Sequence, residues 1–347
     1  MDRIELTSDY SISRIIKGGW HLAGGHGQID EGQAIDDMWF FVKNGITTFD
    51  CADIYTGVEE LIGKFLKKNK GSFDSGELSP VQIHTKYVPD YDSLDKLKKA
   101  NTEKIIDRSL KRLGVERLDL VQFAWWDYRF ENYVDTAIHL SEIQKAGKIK
   151  YIGATNFDEK RLKEIMDAGV NIISHQVQYS SLDHRPETKQ VKLSKDYEFS
   201  FFCYGTVAGG FLSDKYLDVA EPCEPFENRS LTKYKLIIDE YGTWDYFQHL
   251  LSELRRIADK YNVDIAEVAI SYILEKEKVA AVIVGARNKA HLERLKKLNS
   301  FKLDKDDLSI IKKISDKSNG PLGPVYDLER DKNGKHGSIM KYNLNQA

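Results

Sequence analysis

Cysteine is scarce in this chain and badly placed for cross-linking. The 347 residues hold three, Cys51, Cys203 and Cys223, an odd number with no CxxC spacing, which argues against both a disulfide framework and a zinc site. Proline is sparse as well, seven in all, and no Pro-rich or Ser-rich linker divides the chain. Neither sign of charge dominates: 51 basic residues face 54 acidic ones, for a formal charge of −3, so nothing points to a nucleic-acid partner. Long apolar runs are missing. The opening MDRIELTSDY is charged rather than apolar, and no later stretch reaches the length of a membrane span. The expectation is a soluble protein of the reducing cytoplasm, without secretory signal or membrane association.

What is present is alternation. Short runs rich in β-branched and aromatic residues read as buried parallel strands at Arg14 to Lys17, Ile46 to Asp50, Val81 to Tyr87, Leu118 to Phe123, Tyr151 to Thr155, Ile172 to Val177, Ser200 to Tyr204 and Ala281 to Val284. Between them lie helical patterns such as Leu61, Ile62, Phe65 and Leu66, or Leu250, Leu251, Leu254 and Ile257. Gly114 and Gly147 stop helices, and Asp158 is placed to cap one. About eight such units fit an α/β fold of the (β/α)8 TIM-barrel class, with residues 1–347 as one domain. A doubly wound sheet is the competitor, but KGGWHLAGGHG has neither GxGxxG spacing nor a phosphate-loop ending. Residues 212–243 read as a long loop with room for short helices, and residues 318–347 as an irregular tail.

The segment GITTFDCADIYTGVEELIG puts Asp50 at a strand end and Tyr55 in the loop beyond it. The next strand, VQIHTKY, ends at Lys86. Adjacent barrel strands bring all three to one mouth, the face where barrel active sites lie. A tyrosine hydroxyl ordinarily titrates near ~10. A lysine ammonium beside it favours phenolate, and a carboxylate keeps that lysine charged. Such a tyrosine protonates a carbonyl oxygen while hydride arrives from a reduced nicotinamide.

GITTFDCADIYTGVEELIG followed by HTK resembles the first signature of the aldo-keto reductases, whose Asp, Tyr and Lys match Asp50, Tyr55 and Lys86. LDLVQFAWWD, IGATNF, HQVQYS, FFCYGTVAGGFLSDKYL and VIVGARNKAHLERL are similar, in order, to later segments of the same family. The resemblance implies a barrel that reduces a small-molecule aldehyde or ketone with a nicotinamide cofactor. It implies that Thr155, Asn156 and Gln176 contact the nicotinamide amide, that Tyr204 stacks on its ring, and that Gly205, Val207 and Ala208 line the pyrophosphate. Gly19 and Trp20, after the first strand, are expected at the cofactor too. Arg287, Lys289, His291 and Arg294 form a basic cluster at a helix start, where charge and dipole favour a 2′-phosphate; this tilts the expectation to NADPH over NADH. Leu295 stands where the family often has an asparagine near the adenine.

One family residue is missing. The histidine that donates to the substrate carbonyl aligns with Ala124, and loss of such a donor costs about 10²- to 10³-fold in turnover. Two readings stand: a reductase impaired or rearranged at position 124, and a cofactor-binding regulator with little turnover, similar to the potassium-channel β-subunits. His84, on the same face as Lys86 but one layer deeper, reads more simply as a packed core residue. Trp20 and Trp125 either belong to the core or wall a substrate pocket. Cys51 should face the helices as an inert thiol, and no metal is expected, because the histidines lack ligand spacing.

Overall fold

The computed structural model describes all residues except Gly25, His26, Gln28, Thr188, Ala286, Arg287, Gln346 and Ala347. The chain opens with an antiparallel hairpin, β1 (Arg3–Thr7) and β2 (Tyr10–Ser13). Eight parallel strands then close a barrel: β3 (Ile15–Gly18), β4 (Thr48–Asp50), β5 (Gln82–Tyr87), β6 (Leu118–Phe123), β7 (Ile149–Thr155), β8 (Ile172–Gln178), β9 (Ser200–Tyr204) and β10 (Val279–Val284), with β10 pairing back to β3. All eight expected strands are present, within two residues at either end. The doubly wound alternative is excluded by closure of the sheet.

Side chains alternate across each strand, and the two faces serve different cores. Outward residues such as Phe49, Val121, Phe123 and Cys203 meet the surrounding helices. Inward, Ile16, Leu120, Ile173, Phe202 and Ala281 pack with Tyr10 and Ile12 of the hairpin, which plugs the barrel floor. The sequence reading missed that hairpin: two polar-flanked strands of four or five residues carry little periodicity. The helices follow ordinary capping rules. Glu31–Lys43 starts from Asp30, whose carboxylate accepts from Gln33 N at 2.8 Å, and buries Ala34, Ile35, Met38, Phe41 and Val42 along one stripe. Asp158 caps Glu159–Asp167 in the same way.

Two regions differ from expectation. The stretch 212–243 contains a thirteen-residue helix, Arg229–Tyr241, capped by Asn228; its apolar residues Leu231, Tyr234, Ile237 and Ile238 keep helical spacing, which the flanking prolines obscured. The tail is irregular but anchored, with short helical turns at Asp327–Arg330 and Lys335–Ser338. No helix among the described residues is long and apolar enough to cross a membrane.

Candidate active site at the barrel mouth

Register places the polar residues. Asp50 pairs opposite His84, and Lys86 opposite Gln122, so Asp50, Lys86 and Gln122 all point inward near the mouth. Lys86 Nζ lies 2.7 Å from both Asp50 carboxylate oxygens and 2.8 Å from Cys51 O. Asp50 Oδ1 also accepts from Gln122 Nε2 at 3.1 Å and Gln176 Nε2 at 2.7 Å, and Gln176 donates to Gln122 Oε1 at 2.8 Å. A charge removed from water is tolerated only when paired and hydrogen-bonded, and this layer satisfies both conditions. Burial alone would lower the Lys86 pKa, but the Asp50 carboxylate, with help from Tyr55, outweighs it and pushes it up to about 12.

Tyr55 is half-buried beside this layer, its ring centroid 4.9 Å from Lys86 Nζ. Burial raises the Tyr55 pKa by more than Lys86 lowers it, and Asp50 adds to the rise. Trp20 packs edge-on against it, centroids 5.1 Å apart. Gly19 is required by close approach: its N–H donates to Asp50 O at 2.7 Å, and a Cβ there would fall 2.6 Å from that same oxygen.

Ala124 follows β6 with its N–H on Tyr87 O at 3.0 Å, half-buried at the mouth. Among the described residues, no histidine lower in the barrel replaces the missing donor. His84 is wholly buried, shares a 3.0 Å hydrogen bond with Tyr10 Oη and stacks on Phe202; burial, then the Lys86 charge, lowers its pKa to about 3. The pocket reading of Trp125 is corrected. Its indole N–H donates to Asp127 O and Phe130 O, its ring meets Phe123 and Tyr133, and it is 2% exposed. It belongs to the layer between barrel and helices.

The expected cofactor residues spread from the mouth toward β10. Thr155 and Asn156 end β7, and Tyr204 ends β9 with its hydroxyl on Asn156 Oδ1 at 2.9 Å. Gly205, with φ of +73°, turns the chain into Val207 and Ala208; a Cβ on it would meet Tyr234 Oη at 2.5 Å, so the Tyr234 ring lies directly against this loop. At the far end, Lys289 and His291 flank the start of the helix Ala290–Lys297. Arg294 belongs to that helix's last turn and pairs with Asp264 at 3.4 Å, and Arg287 lies outside the described residues. Sequence reasoning passed over Lys17, a buried cation in β3 that joins the cluster. Burial lowers its pKa to about 8, partly offset by Asp37, and its charge reaches His291. The signal was a lysine inside the apolar run RIIKGG. Asp37 offsets the burial of Lys17 and accepts from the Lys289 backbone N–H at 3.3 Å, and these two lysines with His291 suit an anionic phosphate of a dinucleotide.

The tail crosses the mouth. Arg330 donates to Trp125 O at 3.2 Å and Asn156 O at 2.5 Å. Farther on, Asn345 Nδ2 donates to Asp53 Oδ2 at 2.9 Å and Val88 O at 2.5 Å, its N–H reaches Asp90 Oδ1 at 2.8 Å, and Arg108 holds its carbonyl at 2.9 Å.

A sequence pattern described as the aldo/keto reductase family matches residues 14–316, nearly the whole barrel. The chain belongs to this family. Among curated relatives, it is 26% identical over 322 residues to the aldo-keto reductase YhdN of Bacillus subtilis strain 168, covering 90% of this chain and 93% of that one. It is 24% identical over 312 residues to an NADH-specific methylglyoxal reductase of Escherichia coli K12, covering 82% and 90%. Among solved structures, a glycerol dehydrogenase of Gluconobacter oxydans superposes with a TM-score of 0.76 at 20% identity, covering 93% of this chain and 98% of the other. That likeness speaks for the barrel. Members of this family are oxidoreductases that reduce carbonyls with nicotinamide cofactors, and the relatives include both NADH- and NADP-named members.

Proposed function

We propose that this aldo/keto reductase reduces an aldehyde or ketone to an alcohol, with NADPH preferred over NADH and Tyr55 as general acid. The observation that carries the reading is the buried layer of Asp50, Lys86, Gln122 and Gln176 with the Tyr55 ring 4.9 Å from Lys86 Nζ. A reduced nicotinamide supplies the hydride when bound. Tyr55 gives its proton to the carbonyl oxygen, Lys86 stabilises the phenolate left behind, and solvent returns the proton. Asp50 keeps Lys86 charged, and the two glutamines fix the Asp50 carboxylate. Tyr204, Asn156 and Thr155 hold the nicotinamide, Gln176 offers its amide oxygen to the carboxamide, and Gly19, Gly205, Val207 and Ala208 present unhindered backbone. Trp20 walls the substrate side. The preference for NADPH rests on Lys17, Lys289 and His291. We read residues 1–347 as one domain working in the cytoplasm, in keeping with three unpaired cysteines.

A second reading, a cofactor-binding regulator with little turnover, is kept by Ala124. The test is fluorescence of NADPH and NADH on mixing with the protein, followed by cofactor oxidation with a panel of aldehydes. NADPH binding with turnover supports the reductase. Binding without turnover by any aldehyde supports the regulator, and no binding of either nucleotide sinks both.

A further inference from the structure

Beside Tyr204 lies a buried charge cluster that the reduction chemistry does not use. Asp183, fully buried, accepts from Arg185 at 2.9 and 2.7 Å and from Gln178 at 2.7 Å. Lys233, from the helix Arg229–Tyr241, sets its ammonium 5.0 Å from the Tyr204 ring and 5.7 Å from that of Tyr326. The fourth member comes from the tail: Glu329, with no exposed surface, faces Arg185 at 3.5 Å and Lys233 at 3.7 Å. His336 adds a more distant influence and is itself bonded to Glu240.

The two carboxylates are held very differently. Both oxygens of Asp183 are saturated at contact distances. Glu329 makes one long contact on each side, and its Oε1 is buried without a hydrogen-bond partner. A charged hydrogen bond at full strength is near ~2.8 Å, so Glu329 fills the seat without completing it. Two cations against two carboxylates are neutral. If Glu329 leaves, one net positive charge remains in a buried site, and a buried unpaired charge is costly. A monoanion restores neutrality, whereas a dianion overshoots. The cluster also adjoins the expected nicotinamide end of the site, since Lys233 Nζ lies 5.0 Å from the Tyr204 ring.

We infer that Arg185 and Lys233 form a recognition seat for the carboxylate of an aldehyde or keto acid, and that Glu329 is the tail's own occupant of that seat, displaced when substrate binds. Resting on the reductase reading, this narrows the substrate class to carbonyl compounds bearing one carboxylate. The tail becomes a competitor, held beside the seat by Arg330 and farther on by Asn345.

Binding and turnover test it separately. Calorimetry with butanoate and butanol on the full chain should give about tenfold tighter butanoate binding for Glu329→Gln than for the parent, the scale of one charged hydrogen bond. Asn345→Ala, which loosens the tail without touching the seat, should shift affinity the same way and serves if Glu329→Gln does not fold. Lys233→Met should abolish the preference for butanoate. Equal butanoate affinity in the parent and in every folded tail variant overturns the seat, whatever the turnover. In the kinetic arm, succinic semialdehyde should exceed butanal in kcat/KM, with the gap closed by Lys233→Met. Butanal turnover without that gap keeps the reductase and overturns the seat. Butanoate binding that follows the variants, with no turnover of either aldehyde, keeps the seat and removes the reductase reading.

Discussion

Lys86 and Asp50 meet through two contacts of 2.7 Å inside a sealed layer, each side chain about 5% exposed. Burial by itself would lower the Lys86 pKa, so its charge depends on that carboxylate. Asp50→Asn keeps the shape and one acceptor but removes the counter-charge, leaving an unpaired buried ammonium; breaking a buried pair in this way costs about 3–5 kcal/mol. The variant should unfold at clearly lower denaturant concentration, and turnover should fall because Tyr55 loses the cation that supports its phenolate. An unchanged unfolding midpoint would show that the pair does not carry this charge balance.

Ala124 can be examined by restoring the absent donor. Ala124→His should raise kcat for aldehyde reduction by about 10²- to 10³-fold, with little change in NADPH affinity, if the mouth is otherwise a working site. Stopped-flow single turnovers separate this from faster product release. No gain in the chemical step would mean that the neighbourhood of Tyr87 and Trp125 is built for a carbonyl that needs no such donor.

Gly19 is a close backbone approach in the site. Its φ of −91° suits any residue, so the requirement is space alone. In Gly19→Ala the new methyl group falls 2.6 Å from Asp50 O and 2.9 Å from Val58 Cγ1, which forces the strand ends apart at a cost of about 1–3 kcal/mol. Because Asp50 moves with its carbonyl, activity should drop more than melting temperature. A variant as active as the parent would separate this strand contact from the site.

The barrel and the trio were legible because both rest on local pattern. Buried parallel strands read as compact apolar runs, and Asp50, Tyr55 and Lys86 sit at strand ends in one contiguous motif. Gln122 was harder to see: a lone glutamine in LDLVQF reveals its role only when β4 and β8 bring Asp50 and Gln176 against it. The seat of Arg185, Lys233 and Glu329 was invisible for the same reason, its members coming from three distant segments. Trp125 misled because position just past a strand does not say which way the ring turns, and the turn carbonyls of Asp127 and Phe130 decide that here.

Two buried histidines set the response to acid. His175 Nε2 accepts from Phe157 N at 3.1 Å while Nδ1 faces Gln190 Oε1 at 3.2 Å, an arrangement that fits only the neutral ring. Burial lowers the pKa of both His84 and His175 from 6.5 to about 3. The folded state thus resists protons that the unfolded chain accepts. The stabilisation is complete above about 6.5 and is lost as pH falls from there toward about 3. By pH ~4 the loss should reach on the order of 3 kcal/mol per histidine. Asp53 works the opposite way: burial raises it from 3.8 to about 7, so its share is complete below about 3.8 and is lost as pH rises through about 7. Urea midpoints across this window should fall on acidification, because two histidines outweigh one aspartate, and His84→Gln, which leaves one histidine against Asp53, should bring the slope close to zero. A midpoint that rises toward pH ~4 would mean that the histidines are protonated in the fold and that the hydrogen bond from Phe157 N does not hold.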